Sequence, residues 1–261
     1  MESTEQQKFW DEESSAANYF RGYMETISEN KWTDMLLSAE KSNHIRVSGS
    51  VLEIGGGSQY LSRFVSERKD THIVCTDISD ERIRLSTEYY KSTPSNLRTM
   101  GNVNAQKLPF ESEQFDFVIG DAVLHHLEDI RSGLYEINRC LKPGGHAIFV
   151  REPVLGIDLL LKRAIKRLVF SDYEANKLRF IKENRFEFDK YIVQWSEEFY
   201  RTGFTFKTSK GWYYRDWKSV LKSRAPLLFT CLITFCLKKE GKLNLFLTQD
   251  ITGRPPDPHS T

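Results

Sequence analysis

From Phe9 to Lys41 the aromatic and aliphatic residues recur at helical spacing, as Phe9, Trp10, Tyr19, Phe20, Tyr23, Met24, Ile27, then Trp32, Met35 and Leu36. That periodicity predicts two or three helices ahead of the main fold. Ser48-Gly49-Ser50 breaks it, and the short apolar run Val51-Leu52-Glu53-Ile54 reads as a strand stopped by Gly55-Gly56-Gly57. The alternation then continues with a helix from Tyr60 to Lys69, a strand from His72 to Asp77 and a helix from Asp80 to Tyr90. Strands near Leu97 to Asn102 and Phe115 to Gly120 follow, then a helix from Asp129 to Cys140, the turn Lys142-Pro143-Gly144-Gly145 and a strand from His146 to Val150. This rhythm specifies an α/β fold with a parallel sheet covered on both faces. Beyond Glu152-Pro153 the alternation lapses into helical, basic and aromatic sequence, expected to form an insertion over the sheet. It resumes with a helix ending at Tyr200 to Phe204 and a strand from Thr205 to Ser209. An irregular stretch from Gly211 to Leu237 and a last strand from Leu243 to Ile251 are expected after that. The chain thus divides as one domain: a helical cap (1–48), a core (49–152), a helical insertion (153–191), the C-terminal part of the sheet (192–252) and a disordered tail (253–261).

Composition narrows the function. The 261 residues are 39% hydrophobic, enough for one well-filled core, and 37 basic against 36 acidic residues leave a formal net charge of +1. That balance gives no electrostatic footprint for a polyanion, so no nucleic-acid partner is expected. No apolar run is long enough to span a bilayer, and the start Met1-Glu2-Ser3-Thr4-Glu5 lacks a basic-then-apolar leader. A soluble, cytoplasmic protein is expected. Cys75, Cys140, Cys231 and Cys236 form no C-x-x-C pair, and they read as isolated thiols with no metal site and no disulfide framework.

The glycine run carries the first chemical signal. A glycine-rich turn between a strand and a helix lets backbone approach a ligand, and in doubly wound sheets ligands lie beyond the strand carboxyl ends. A dinucleotide G-x-G-x-x-G fingerprint counted from Gly55 needs glycine where Tyr60 stands, and no Gly-Lys-Ser/Thr follows for a phosphate loop. Glu53, just before the glycines, suits a cationic group. Asp77 ends the next strand, where an acid in such folds bonds both hydroxyls of a ribose. The expected ligand is therefore nucleoside-like, without phosphate and with a positive end.

Several segments in order carry a resemblance: Val51 to Gly57, Asp77, Leu108-Pro109-Phe110, Phe115 to Val118, His125-His126-Leu127 and Glu136 to Gly145. Together they resemble the ordered motifs of class I S-adenosylmethionine-dependent methyltransferases, small-molecule branch, over about Gly49 to Glu152. The resemblance implies a Rossmann-like, doubly wound, seven-stranded and mostly parallel sheet with S-adenosylmethionine as cofactor. It implies that Glu53, Gly55, Gly56 and Gly57 surround the methionine part, that Asp77 takes the ribose hydroxyls and that Ile78 packs on the adenine. Asn104 and Ala105 fall where the family usually has Asp-Ala reading the adenine edge, and the Asn104 side-chain oxygen can still accept from the exocyclic amine. Gln59 departs from the family where many members carry a third glycine. Asp121, past the fourth strand, is placed to help hold the methionine end. A non-catalytic partner subunit of the same fold and a nicotinamide-dependent oxidoreductase are the alternatives; the intact acids and glycines oppose the first, Tyr60 the second.

Methyl transfer needs orientation and exclusion of water rather than a nucleophilic side chain, and a base matters only for a weakly acidic hydroxyl or a carbon acid. His125 and His126 are the candidates for that base, or alternatively for orienting their loop. Gly120-Asp121-Ala122-Val123 lacks the Asn-Pro-Pro-Tyr type of motif that grips a planar amine of a nucleobase. The expected acceptor is an oxygen or carbon of a small, amphipathic biosynthetic intermediate. Tyr19, Tyr23, Glu152, Trp195, Trp212 and Tyr213 are the candidate acceptor contacts, although large rings in such flanks also simply pack a cap onto a sheet. Within the insertion Lys162, Arg163, Lys166 and Arg167 cluster beside apolar residues at helical spacing. This cationic amphipathic helix is a candidate for peripheral contact with an anionic membrane, for holding an acidic acceptor, or for a merely solvated face. The apolar run Ala225 to Leu237, too short to span a bilayer, reads as a buried helix or an interfacial segment.

Overall fold

The computed structural model describes residues 5–15, 20, 22, 24–25, 33–156, 190–210 and 231–240. Helices α1 (Glu5–Ser15) and α2 (Thr33–Asn43) precede strand β1 (Gly49–Glu53). Then come α3 (Tyr60–Ser66), β2 (Thr71–Thr76), α4 (Asp80–Tyr90), β3 (Leu97–Met100) and β4 (Phe115–Asp121). A single 3-10 turn (Leu124–His126), α5 (Ile130–Cys140) and β5 (Leu141–Leu155) follow, and after the insertion β6 (Lys190–Tyr191), α6 (Ile192–Arg201), β7 (Phe204–Lys210) and β8 (Cys231–Lys239).

The sheet runs β3-β2-β1-β4-β5-β8-β7, with the two-residue β6 paired to β5. β1 to β5 are parallel, and β8 lies antiparallel between β5 and β7. This is the doubly wound, mostly parallel sheet that the alternation of elements predicts. Neighbouring residues of one strand feed opposite cores, because side chains alternate across a sheet. Leu52, Val118, Phe149 and Phe235 pack with Leu134 and Ile137 of α5 and Trp195 and Phe199 of α6. Val51, Ile119, Ile148 and Cys236 pack with Met35 and Leu36 of α2 and Leu61 and Val65 of α3.

Two expectations change here. The described part of the apolar run Ala225 to Leu237 is neither a helix nor an interfacial segment: residues 231–239 form β8, and Ile233, Phe235 and Leu237 are buried. A strand covered on both faces is apolar without alternation, which periodicity alone does not separate from a buried helix. The run Lys142 to Gly145 is a looped-out irregularity inside β5, since Phe115 pairs with Leu141 and Phe117 with His146. The proposed strand from Leu243 to Ile251, the tail and the amphipathic segment Lys162 to Arg167 lie outside the described residues.

Candidate active site

The order of the strands reverses between β1 and β4, and ligands of such sheets bind at the carboxyl ends beside that switch. A cavity of about 280 Å³ lies there. Gly55, Asp77, Ile78, Asn104, Ala105 and Asp121 line it, together with Val123, His126, Leu127 and Arg151. Helix α1 contributes Gln6 and Trp10 to its wall, and α4 adds Arg82.

On the β1–β2 bank, Gly55 has φ +62°, and a Cβ there would stand 2.4 Å from Val123 Cγ2. Gly57 and Gly56 lie behind that surface. The Gly57 N–H donates to Asp77 Oδ2 at 2.8 Å and the Ser79 N–H to Oδ1 at 2.8 Å, which aims the carboxylate. Ser79, not Asp77, caps α4, accepting from Arg82 N at 3.1 Å. Burial raises the proton affinity of Asp77, against the charge of Arg82 and the two N–H bonds. Ile78 and Leu127 supply apolar wall. Asn104 Oδ1, the atom expected to meet an amine, is engaged locally by the Gln106 backbone N–H at 2.8 Å.

Glu53 is not on the cavity wall. Only 1% exposed, it accepts from the Ser62 N–H at 3.0 Å and from the Ser62 hydroxyl, so it holds the first turn of α3 from behind the glycines. Burial pushes its carboxyl up to about 7.

The β4–β5 bank is organised by a bulge. Phe149 pairs with Phe235 and Glu152 with Ile233, so Val150 and Arg151 together face Thr234, and Arg151 takes φ +58°. The bulge sends two neighbouring side chains to different tasks. Arg151 binds Asp121 through both carboxylate oxygens, at 2.5 and 2.8 Å, with the two side chains 11% and 8% exposed. Glu152 accepts from the N–H groups of Val123, Leu124 and His125 at 2.8, 2.9 and 3.2 Å, and its Oε2 lies 2.8 Å from His125 Nδ1.

The histidines therefore part. His125 is buried against Glu152, whereas His126 lines the cavity. The His126 carbonyl accepts from Gln6 Nε2 at 2.5 Å, and its ring meets Trp10 edge-on at 5.0 Å. The Arg82 guanidinium lies over the other ring system of this contact, 4.5 Å from the Trp10 centroid.

Two candidate acceptor contacts are corrected. Trp195 is fully buried, stacks on Phe199 at 5.8 Å and donates from Nε1 to the Pro153 carbonyl at 3.2 Å, so it belongs to the core. Glu152 is likewise fully buried, and its contacts are with the loop after β4. Tyr19, Tyr23, Trp212 and Tyr213 lie outside the described residues. Gln6, Arg82 and Arg151 enter the site without any sequence signal, whereas Trp10, one of the flanking rings expected either to wall an acceptor or to pack the cap, is on the cavity wall. Among the described residues no cluster of acidic, histidine or cysteine side chains is arranged to hold a metal ion, and no helix is long and apolar enough to cross a membrane.

A doubly wound sheet with one antiparallel strand beside β5, and an acid after β2 facing the switch-point cavity, place the chain among α/β folds whose ligands bind at that switch point. Residues 52–149 match the family model described as a methyltransferase domain, and over that segment the chain is similar to class I S-adenosylmethionine-dependent methyltransferases. It is 31% identical over 122 residues to the ubiquinone/menaquinone biosynthesis C-methyltransferase UbiE of Pasteurella multocida, covering 42% of this chain and 43% of that protein. To the uncharacterized methyltransferase YdaC of Bacillus subtilis it is 27% identical over 125 residues, 48% of this chain and 64% of that one. The chain thus spans less than two thirds of these curated relatives. Among solved structures, the phosphoethanolamine N-methyltransferase 2 of Haemonchus contortus in complex with S-adenosyl-L-methionine superposes with a TM-score of 0.65 at 17% identity, over 91% of this chain and 60% of that one. YcgJ of Bacillus subtilis gives 0.57 at 17% identity, over 80% and 99%.

Proposed function

We propose that this protein transfers the methyl group of S-adenosylmethionine to an oxygen or carbon of a small, amphipathic biosynthetic intermediate. The observation that carries the reading is Asp77, held by two backbone N–H bonds at the mouth of the cavity with Ile78 beside it. Both carboxylate oxygens keep lone pairs for the two hydroxyls of a ribose, and the apolar walls suit a flat base. The donor set thus fits the cofactor, which when bound supplies an electrophilic methyl group.

The chain's own contribution is placement and dryness. Asp77 and Ile78 would fix the nucleoside, and Asp121 with Arg151 would close the end towards the methionine part. Trp10 and Gln6, on the cavity wall, would help to exclude water once the cofactor is bound. Acceptor deprotonation, where the acceptor requires it, falls to His126, the histidine on the cavity wall. Similarity to a C-methyltransferase supports a carbon acceptor, while the acceptor side of the site lies largely beyond the described residues.

Calorimetry with S-adenosylhomocysteine tests the cofactor. Saturable binding that Asp77→Ala weakens is expected, and no heat with the wild-type protein would sink the reading, including in favour of a non-catalytic partner. For the acceptor, label transfer from methyl-labelled cofactor to a panel of phenols, enols and lipid-linked intermediates reads the class, and product analysis reads the atom.

A further inference from the structure

A heavily bonded side chain near the cavity does not itself line it. Glu152 is fully buried and receives three consecutive backbone N–H groups, those of Val123, Leu124 and His125, besides the ring of His125. Those N–H groups open the 3-10 turn Leu124–His126, the place where a helical turn leaves its donors unsatisfied and favours an anion. Here the anion is a side chain of the same protein, delivered from β5 by the bulge at Val150 and Arg151.

The segment so held is also cavity wall. Ala122, Val123, His126 and Leu127 all line the cavity, and Ala122 itself stands at φ +50° with its N–H on the Val150 carbonyl at 2.9 Å. The His125 and His126 rings stand 4.0 Å apart, so whatever fixes the first ring limits where the second can go. Behind the bulge, Trp195 Nε1 holds the carbonyl of Pro153, the next residue in the chain. The arrangement runs from a core tryptophan through Pro153 and Glu152 to the loop that presents His126.

We infer that Glu152 is a positioning residue for methyl transfer: it and the His125 ring hold the loop after β4 so that His126 faces the cavity. The inference rests on the reading of this cavity as a cofactor site. His125 Nδ1 donates, because an ionised carboxylate can only accept. The charge and ring bond of His125, with the backbone bonds, hold the Glu152 carboxyl below its ordinary range although burial alone would raise it.

The test compares Glu152→Gln with Glu40→Gln. Glu40 is also buried and hydrogen-bonded, to Arg68 and the Val47 N–H, but it lies on α2 away from the cavity. It therefore controls for a loss of stability that leaves the site alone. Glutamine at 152 keeps the shape but turns two acceptor positions into donors facing N–H groups. Affinity for S-adenosylhomocysteine is expected to fall at least about fivefold in Glu152→Gln and to stay within about twofold in Glu40→Gln. In imidazole ¹⁵N spectra the His125 and His126 signals move only in the former.

Wild-type binding with an unchanged Glu152→Gln protein, in both affinity and ring signals, overturns the inference. Absence of wild-type binding overturns the cofactor reading instead. Should Glu152→Gln fail to fold, the wild type alone still decides. The inference requires a downfield, slowly exchanging Nδ1–H on His125, and a His125 ring that exchanges as a free imidazole overturns it. Glu152→Asp, which keeps the charge and shortens the reach, is expected to retain that proton and fall between the two in affinity; behaviour identical to glutamine would show that charge at this position does not hold the loop.

Discussion

On the β1–β2 bank of the cavity, Glu53 and Asp77 are buried with backbone N–H groups and a serine hydroxyl as their hydrogen-bond donors. On the β4–β5 bank, Asp121 is locked to Arg151 and Glu152 to His125. The same functional group is thus buried in two ways. A buried carboxylate without a paired cation is costly until something else compensates it, and a ligand that brings hydroxyls or a positive end does so. The first bank meets the cavity through Asp77 alone, with Glu53 behind the glycines, whereas the second bank is paired within the protein and shapes the cavity wall. Burial accordingly pushes Glu53 up to about 7, while His125 holds Glu152 below the ordinary range.

Breaking the compensated bank gives the largest expected effect. Arg151→Met leaves Asp121 buried and without its ion-pair partner, which should lower unfolding stability by about 4 kcal/mol in urea titrations. Adding Asp121→Asn should recover a good part of that loss. A single-variant loss below about 1 kcal/mol would mean that Asp121 is compensated elsewhere and would erase the contrast between the banks.

The pH dependence of stability should have opposite signs for Glu53 and Glu152, while burial raises Asp121 despite Arg151. Glu53 holds a proton in the folded chain that the unfolded chain releases between 4.5 and about 7. Stability should therefore fall as pH rises through that window, by about 3 kcal/mol from this group, at 1.36 kcal/mol for each pH unit of difference. Glu152 works the other way: its stabilisation is full above the ordinary carboxylate range and is lost as pH falls through its lower folded value. Urea titrations from roughly pH 2.5 to 8 on the wild type, Glu53→Gln and Glu152→Gln separate the two. If Glu53→Gln leaves the slope between pH 4.5 and 7 unchanged, Glu53 is not protonated in the fold as described.

Asp77→Ala sharpens the ligand side. It removes both the proposed ribose contacts and the acceptor of Gly57 and Ser79, and should weaken S-adenosylhomocysteine by about 2 kcal/mol, roughly thirtyfold, in calorimetry. A change under threefold would take Asp77 out of the nucleoside site.

The two banks were also unequally legible. Gly55 to Gly57 and Asp77 show in the sequence because strand, glycine turn, helix and terminal acid are local patterns with short connections. Asp121 and the histidines were visible for the same reason. Glu152 was noticed, but its task was not, since a two-for-one bulge with β8 decides where its side chain goes, and β8 was itself read as a helix or interfacial segment. A large ring in a flank suggests an acceptor contact for Trp195, yet Trp195 and Phe199 of α6 and Thr202 just past its end fall on one face and are all buried. That spacing was the signal for core. For Trp10 the helix was legible, but no local pattern says that α1 lies across the cavity and places Gln6 and Trp10 on its wall.

Gln59 provides the finest test of how the glycine bank is held. It stands at φ +55°, the left-handed region that explains why a glycine is common at this point, and the residue there costs about 1 kcal/mol in backbone strain. Its side chain works against that cost. Gln59 is fully buried and donates from Nε2 to Ser86 Oγ and Thr87 Oγ1, both at 2.7 Å, tying the start of α3 to α4. Each such bond contributes about 1 kcal/mol net, so Gln59→Gly relieves the strain and loses the tie, while both hydroxyls keep their bonds to the Ile83 carbonyl. The expected outcome is a loss of no more than about 1 kcal/mol in urea titration, with cofactor affinity little changed because Gln59 is not on the cavity wall. A gain in stability instead would show that the bonds to α4 contribute nothing and that the loop is shaped by its glycines alone.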